Sequence, residues 1–169
     1  MSASSRAALA DEPPASAIIQ TPLGEMTLSS RGDAVVALQF SDRGSVSPHD
    51  STDAEQAARV QGQLDDYFSG SLTEFSLPLA LEGCGDFQRR VLEQCSRIAY
   101  GERATYGLLA SQIGAPGAAR AVGNALRRNP IALLIPCHRV TRADGSLGGY
   151  GGEDSHQRKR ALLALETSS

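Results

Sequence analysis

Three consecutive residues, Cys137, His138 and Arg139, place a thiol, an imidazole and a guanidinium side by side in the chain. A thiol is mostly protonated at neutral pH, so a cysteine that acts as a nucleophile needs a base or a positive surrounding. His138 is the adjacent base. Neighbours on an extended chain point in opposite directions, which favours a bridging water over direct contact. Glu166 falls near the C-terminal end of the last helical stretch, where the helix dipole disfavours a carboxylate, and a histidine is the partner it invites. A third group that orients the base follows the logic of other triads. Asn129, across the intervening apolar run, carries an amide able to fix the site. These residues give a Cys–water–His–Glu relay without naming the electrophile. The alternative is a buried structural thiol beside an incidental histidine, because free cysteine is among the most buried residue types.

The elements that must position this relay follow from pattern. Ile131–Ile135, between Pro130 and Pro136, reads as a buried strand delivering Cys137 at its end. Before it, Thr105 caps an expected helix over Tyr106–Ile113, which Gly114 closes. Gly114-Ala115-Pro116-Gly117 forms a turn, and Ala118–Arg128 a second helix. Two short helices joined by a glycine-containing turn match the helix-turn-helix pattern, although helical hairpins also abound in proteins that bind nothing. Ala118, Ala119, Ala121, Gly123 and Ala125 make the second helix slim, and Arg120, Arg127 and Arg128 make it basic. Such a helix can press its backbone against another surface, and the arginines tilt the reading from core packing towards nucleic acid.

Further upstream, Asp86 is the expected cap of a helix over Phe87–Ile98 with Cys95 in its apolar stripe. Cys84 lies in a glycine-flanked loop. Downstream, Gly148-Gly149-Tyr150-Gly151-Gly152 permits close approach of backbone to a flat ligand. A last helix covers about His156–Glu166.

The N-terminal part reads differently. Ile18–Ser29 and Ala34–Phe40 look like a hairpin turning at Ser30–Asp33. Ser41–Thr52 is a polar loop. Asp53 caps a helix to Ser69 with a stripe of Ala57, Val60, Leu64 and Phe68. Phe75–Leu81 is a short strand, placed at an edge by Pro78. Nothing in it suggests chemistry; it reads as an acidic scaffold.

Charge divides the chain the same way. The net charge of −3 over 169 residues combines a first part, 1–86, with four arginines against thirteen acids, and a remainder with twelve bases against six. Those totals are −9 and +6, so a polyanion partner suits the second part only. Three cysteines without a Cys-x-x-Cys pair argue against a disulfide framework or a cysteine zinc site, and no metal or cofactor is expected. No apolar run approaches the ~20 residues that span a bilayer. Residues 1–16 are small and polar, with no signal-peptide core, which predicts a flexible tail on a cytoplasmic protein. The expected organisation is a tail at 1–16, an N-terminal α/β scaffold at 17–82 with a short β-sheet, and a mainly α-helical C-terminal domain at 86–169 with a helix-turn-helix.

The run Ala119-Arg120-Ala121-Val122-Gly123, then Asn129-Pro130, then Ile135-Pro136-Cys137-His138-Arg139-Val140, resembles the O6-alkylguanine-DNA alkyltransferases. Within that family it is similar to the stand-alone bacterial methylated-DNA–protein-cysteine methyltransferases. Asp86-Phe87-Gln88, Tyr100-Gly101-Glu102, Thr105-Tyr106-Gly107, Gly148-Gly149-Tyr150, Arg158-Lys159, Leu162-Leu163 and Glu166 extend the match. It covers about Ile18–Glu166, most strongly beyond Asp86. The link 151–157 looks longer than usual, and Ala99 stands where proline is common.

The resemblance implies DNA repair by direct reversal. Cys137 would take an alkyl group irreversibly from O6-alkylguanine, and from O4-alkylthymine, in double-stranded DNA. His138 would deprotonate it through water, Glu166 would orient His138, and Asn129 would hold the network. Arg120 would enter the base stack as the target nucleotide leaves. Tyr106 would crowd the 3′ phosphate, and its hydroxyl or that of Tyr150 would donate to the departing guanine. Gly123, Ala118 and Ala119 would let the second helix lie in the minor groove, with Thr105, Arg139, Tyr150 and Gly151 completing the DNA and substrate contacts. A flipped base is required because O6 inside a duplex is out of reach. A monomer is expected. Rival readings are an alkyltransferase-like damage-binding protein without transfer, which lacks this cysteine, a cysteine hydrolase, and a helix-turn-helix regulator, which leaves Pro-Cys-His-Arg unexplained.

Overall fold

The computed structural model describes residues 13–43, 53–150 and 155–168. Strands β1 (Ala15–Ile19), β2 (Met26–Arg31) and β3 (Ala34–Phe40) form an antiparallel sheet in that order. The single strand expected over Ile18–Ser29 is therefore two. Proline and glycine turn the chain at Thr21-Pro22-Leu23-Gly24, where the Gly24 N–H donates to the Thr21 carbonyl at 3.1 Å and the Thr21 hydroxyl to the Gly24 carbonyl at 2.6 Å. Ile19 consequently pairs with Met26.

Helix α1 (Ala54–Phe68) starts at Asp53, whose carboxylate accepts the Gln56 N–H at 3.0 Å, as the capping pattern predicts. Its Val60, Leu64 and Tyr67 are buried in the same core as Ile19, Leu28 and Leu38. Phe75–Leu81 is not a strand. It makes one bridge, in which Val35 donates to the Pro78 carbonyl at 2.8 Å and Ala80 to the Val35 carbonyl at 2.9 Å. Pro78 has no N–H with which to extend a ladder.

The second half is mainly helical: α2 (Asp86–Cys95), α3 (Tyr106–Gln112), α4 (Ala119–Arg127) and α5 (Ser155–Thr167), with a two-residue parallel pairing of β4 (Ala104–Thr105) and β5 (Val140–Thr141). Asp86 is the first helical residue of α2 rather than its cap. Gly85 occupies the cap with no side-chain hydrogen bond, and Asp86 acts only as a negative charge in the first turn. The helix also stops at Cys95, short of Ile98. Thr105 caps α3 as expected, accepting the Leu108 N–H at 3.1 Å. α3 and α4 pack together as a helix-turn-helix, with Val122, Ala125 and Leu126 turned inward and Arg120, Ala121, Asn124 and Arg127 exposed. No helix among the described residues is long and apolar enough to cross a membrane.

Ile131–Ile135 is buried, as its composition demands, but it is a tight turn rather than a strand. Leu38 of β3 donates to the Pro130 carbonyl and accepts from Ala132, both at 2.8 Å, which docks this segment on the free edge of the N-terminal sheet. The chain then reverses: Ile135 donates to the Ile131 carbonyl at 3.1 Å, and Leu133 takes φ 69°, alone among the described non-glycine residues in the left-handed region. Apolar run length cannot separate these outcomes, since strand and turn bury the same five side chains.

Leu38 is thus both core and splice, with no exposed surface. Replacing it with alanine should cost about 2–5 kcal/mol of stability, typical of leucine deletion in a core. Urea unfolding monitored by circular dichroism measures the loss, and a change below about 1 kcal/mol would show that the Leu38 side chain is not part of the load-carrying core.

Candidate active site

The reversal at Leu133 feeds Pro136 and a single 3-10 turn, Cys137–Arg139. Because the turn is helical, His138 and Arg139 need not point to opposite faces, and the side chains of Cys137, His138 and Arg139 are all buried. Asn129, left at the end of α4, is buried beside them. Its amide donates to the Ile135 carbonyl at 3.1 Å and to the Cys137 sulfur at 3.2 Å, while its oxygen accepts the Ile131 N–H at 3.0 Å. One side chain thereby closes the turn and fixes the thiol.

His138 meets Glu166 of α5, Nε2 to Oε1, at 2.8 Å. Burial alone would raise the Glu166 pKa, but hydrogen bonds from His138 and Arg139 outweigh it and bring it down to about 2. Glu166 is therefore a carboxylate at neutral pH and can only accept, so Nε2 must carry the proton of the neutral ring. That tautomer leaves a lone pair on Nδ1, which is buried and has no hydrogen-bond partner among the described residues. Burial lowers the His138 pKa, with Glu166 opposing the shift, which keeps the ring neutral and ready to accept.

Arg139 is a correction. The sequence places it against DNA, but its guanidinium is buried and turned inward. Nε donates to Glu166 Oε2 and Nη2 to Oε1, both at 2.9 Å, and Nη1 donates to the Ile98 carbonyl at 2.6 Å. A planar fork matched to a carboxylate serves positioning here, not phosphate recognition.

Beside the relay runs a groove of about 310 Å³ lined by Tyr106, Ala119, Arg120, Gly123, Asn124, Arg127, Arg142, Gly148 and Gly149. It brings together Tyr106, Arg120, Ala119 and Gly123, with Arg120 exposed on α4. Asn124 and Arg142 join it without a prior sign in the sequence beyond the local basic charge. A Cβ on Gly123 would sit 3.7 Å from the Tyr106 ring, an ordinary contact, so this glycine is not needed to seat the tyrosine and instead thins the outward face. Gly148 is different. At φ 68° any side chain is strained, and a Cβ would fall 2.5 Å from the Tyr106 hydroxyl.

Ala118 is half-buried just before α4, and its carbonyl accepts the Val122 N–H at 2.9 Å. Thr105 is engaged as the α3 cap. Tyr150 is buried with its ring edge-on to His138, centroids 6.4 Å apart. Gly151 and the expected long link up to 154 lie outside the described residues. α5 begins at Ser155, one residue before the expected start.

Two residues near the relay are not apparent from sequence. Tyr67 on α1 donates to Glu166 Oε1 at 2.7 Å. Lys159 on α5 is fully buried, donates to the Val140 carbonyl at 2.6 Å, and has its pKa lowered to about 8, chiefly by burial. Tyr67 gives no sign because it falls in the apolar stripe of α1, and Lys159, although part of the resemblance, sits between two arginines where a surface reading suffices.

Fold and site together describe a protein with a buried thiol held by Asn129 next to a His–Glu pair, preceded in the chain by a slim, basic helix-turn-helix. The family model for the 6-O-methylguanine DNA methyltransferase DNA-binding domain matches residues 86–168, and that for the ribonuclease-like domain of the same methyltransferase matches 16–81. A methylated-DNA–protein-cysteine methyltransferase of Mycobacterium tuberculosis is 47% identical over 153 residues, 89% of this chain and 90% of the relative. The constitutive Bacillus subtilis protein of that name is 35% identical over 156 residues, 89% of this chain and 93% of its own. Among solved structures, M. tuberculosis O6-methylguanine methyltransferase superposes with a TM-score of 0.80 at 43% identity, covering 92% of this chain and 93% of that one. M. tuberculosis OGT in complex with DNA superposes with 0.82 at 48%, covering 89% and 91%. The chain belongs to the 6-O-methylguanine DNA methyltransferase family.

The depressed Glu166 pKa carries a stability consequence. A folded-state value of about 2 against an ordinary 4.5 means the carboxylate stabilises the fold above 4.5, and the contribution is lost as pH falls from there through 2. Urea midpoints measured across that window should fall steeply for the wild type. Glu166→Gln should be less stable at neutral pH and show a flatter acid dependence; equal slopes would mean that the buried carboxylate is not the titrating group.

Proposed function

We propose that this chain repairs DNA by direct reversal, moving the alkyl group of O6-alkylguanine onto Cys137 in a single, irreversible event. The observation that carries the reading is the His138 ring, held by Glu166 through Nε2, with Nδ1 open, one residue from a cysteine fixed by Asn129. His138 takes the Cys137 proton through a water. The thiolate attacks the alkyl carbon, the S–C bond forms, and the C–O bond breaks with its electron pair passing to the guanine. A proton from Tyr106 or Tyr150 balances the departing base. Nothing regenerates a thioether, so each molecule acts once.

The DNA partner is a duplex, met by α4 through the minor groove. Arg120 occupies the gap left by the flipped nucleotide, Tyr106 crowds its 3′ phosphate, and the small residues Ala118, Ala119 and Gly123 let the helix backbone approach without reading bases. Contacts of this kind suit a protein that must inspect any sequence. Thr105, Tyr150 and Gly151 complete the surface facing the substrate, and O4-alkylthymine is a second substrate of the same pocket. The protein works as a cytoplasmic monomer, with a scaffold domain that takes in β1 from Ala15 and runs to 82, and 86–169 the DNA-binding and acceptor domain; the tail expected over 1–16 therefore ends before Ala15, and its residues 1–12 lie outside the described residues.

Incubation with a duplex carrying O6-methylguanine, followed by intact-protein and peptide mass spectrometry, tests this directly. One methyl group should appear on Cys137 and none on Cys137→Ala. His138→Ala should slow transfer by about 10²–10⁴-fold, the usual worth of a positioned base. Arg120→Ala should slow transfer from duplex more than from a free alkylated base. A folded wild-type protein that gains no methyl would sink the proposal.

A further inference from the structure

Tyr67 lies on α1, in the part of the chain that sequence reads as scaffold, yet it is 1% exposed and its hydroxyl donates at 2.7 Å to Glu166 Oε1. That same oxygen accepts His138 Nε2 at 2.8 Å and Arg139 Nη2 at 2.9 Å. The other oxygen takes Arg139 Nε at 2.9 Å and a long contact from the Gly101 N–H at 3.4 Å. The phenol is held by its own packing, with the Phe68 and Phe75 rings at 5.3 Å and Tyr100 edge-on at 6.0 Å. The N-terminal part thus reaches across the molecule to the carboxylate that orients the base.

We propose that Tyr67 is a positioning residue for the transfer: by donating to Glu166 Oε1 it sets how much of that carboxylate's charge is left for His138. The inference rests on the repair reading above and extends the relay into the N-terminal domain. A carboxylate oxygen has limited accepting capacity, and each donor it satisfies withdraws charge from the others. A more strongly solvated Glu166 stabilises the imidazolium less, so His138 stays neutral to lower pH and gives up its proton sooner. Other groups facing this pair are Arg139 and Cys137 on the 3-10 turn, Cys95 at the end of α2, Tyr100 in the loop after it, and Lys159 on α5 itself. The cations Arg139 and Lys159 also act against imidazolium, and they remain in place when the phenol is removed.

Tyr67→Phe in the full chain keeps the ring among Phe68, Phe75 and Tyr100 and removes only the donor. The rate of methyl transfer from an O6-methylguanine duplex is measured for both proteins across the range in which imidazoles titrate. His138 is titrated in parallel by NMR, without DNA. Losing one hydrogen bond of ordinary net worth should move the acid limb of the rate profile, and the imidazole titration with it, to higher pH by about half a unit. Superimposable profiles, or a uniform rate loss with an unmoved titration, would overturn the proposal and leave Tyr67 as packing. Absence of transfer by the wild type would sink the repair reading instead, and the NMR titration would still decide the role of Tyr67.

Discussion

A buried carboxylate is the constraint on which the rest of this structure turns. Removing an ion from water costs several kcal/mol even after relaxation, and a protein interior tolerates that only where hydrogen bonds replace the lost solvent. Glu166 is supplied with donors from three separate regions: His138 and Arg139 on the 3-10 turn, Tyr67 on α1 and, more distantly, the Gly101 N–H. Together they make the burial tolerable, so α5, the 3-10 turn and the N-terminal helix are tied to one point. Its position near the end of α5, unfavourable for an acid by the helix dipole, is compensated by the Arg139 fork.

The same demand explains why Cys137 sits on a turn. A strand ending at Cys137 would send alternate side chains to opposite faces and could not deliver His138 and Arg139 together to one carboxylate. The 3-10 turn does so, and the reversal at Leu133, with its left-handed backbone, supplies the room for it. A leucine in that conformation is costly, by about 1–2 kcal/mol. It persists because Leu38 on one side and Asn129 on the other over-determine the segment.

What sequence reveals here follows the chemistry. That Cys137, His138, Glu166 and Asn129 come together is legible from their chemistry, since a buried carboxylate and imidazole need partners, and the helix-turn-helix is legible because caps and glycines mark its ends. The fold class is legible for similar reasons: charge divides the chain, and α1 declares its cap at Asp53. Ile131–Ile135 is misread because burial, which composition reports, does not fix backbone shape. The turn at Pro22-Leu23-Gly24 is overlooked because it interrupts a stretch that alternates apolar and polar residues on either side, as one long strand would. Arg139 is misassigned because a guanidinium suits phosphate and carboxylate alike, and only its surroundings choose between them. Tyr67 is invisible for the opposite reason, since an aromatic on the buried face of a helix needs no explanation until its hydroxyl is seen to meet an acid 99 residues away.

That last contact alters what the N-terminal part is for. A scaffold that supplied only a hydrophobic seat could touch the catalytic half anywhere along the shared core. Here the contacts are chemically specific: Leu38 splices the segment leading to Cys137, Tyr67 reaches the carboxylate behind His138, and Asp42 and the Leu23 carbonyl take the Arg158 guanidinium of α5. The first two lie upstream of the thiol, one along the backbone and one along the relay. The hydrogen bonds that set the His138–Glu166 pair are already made in the protein without DNA. The Tyr67 and Leu38 contacts come from α1 and β3, not from the α3–α4 pair, so the N-terminal part acts on the site without a share in the groove beside α4.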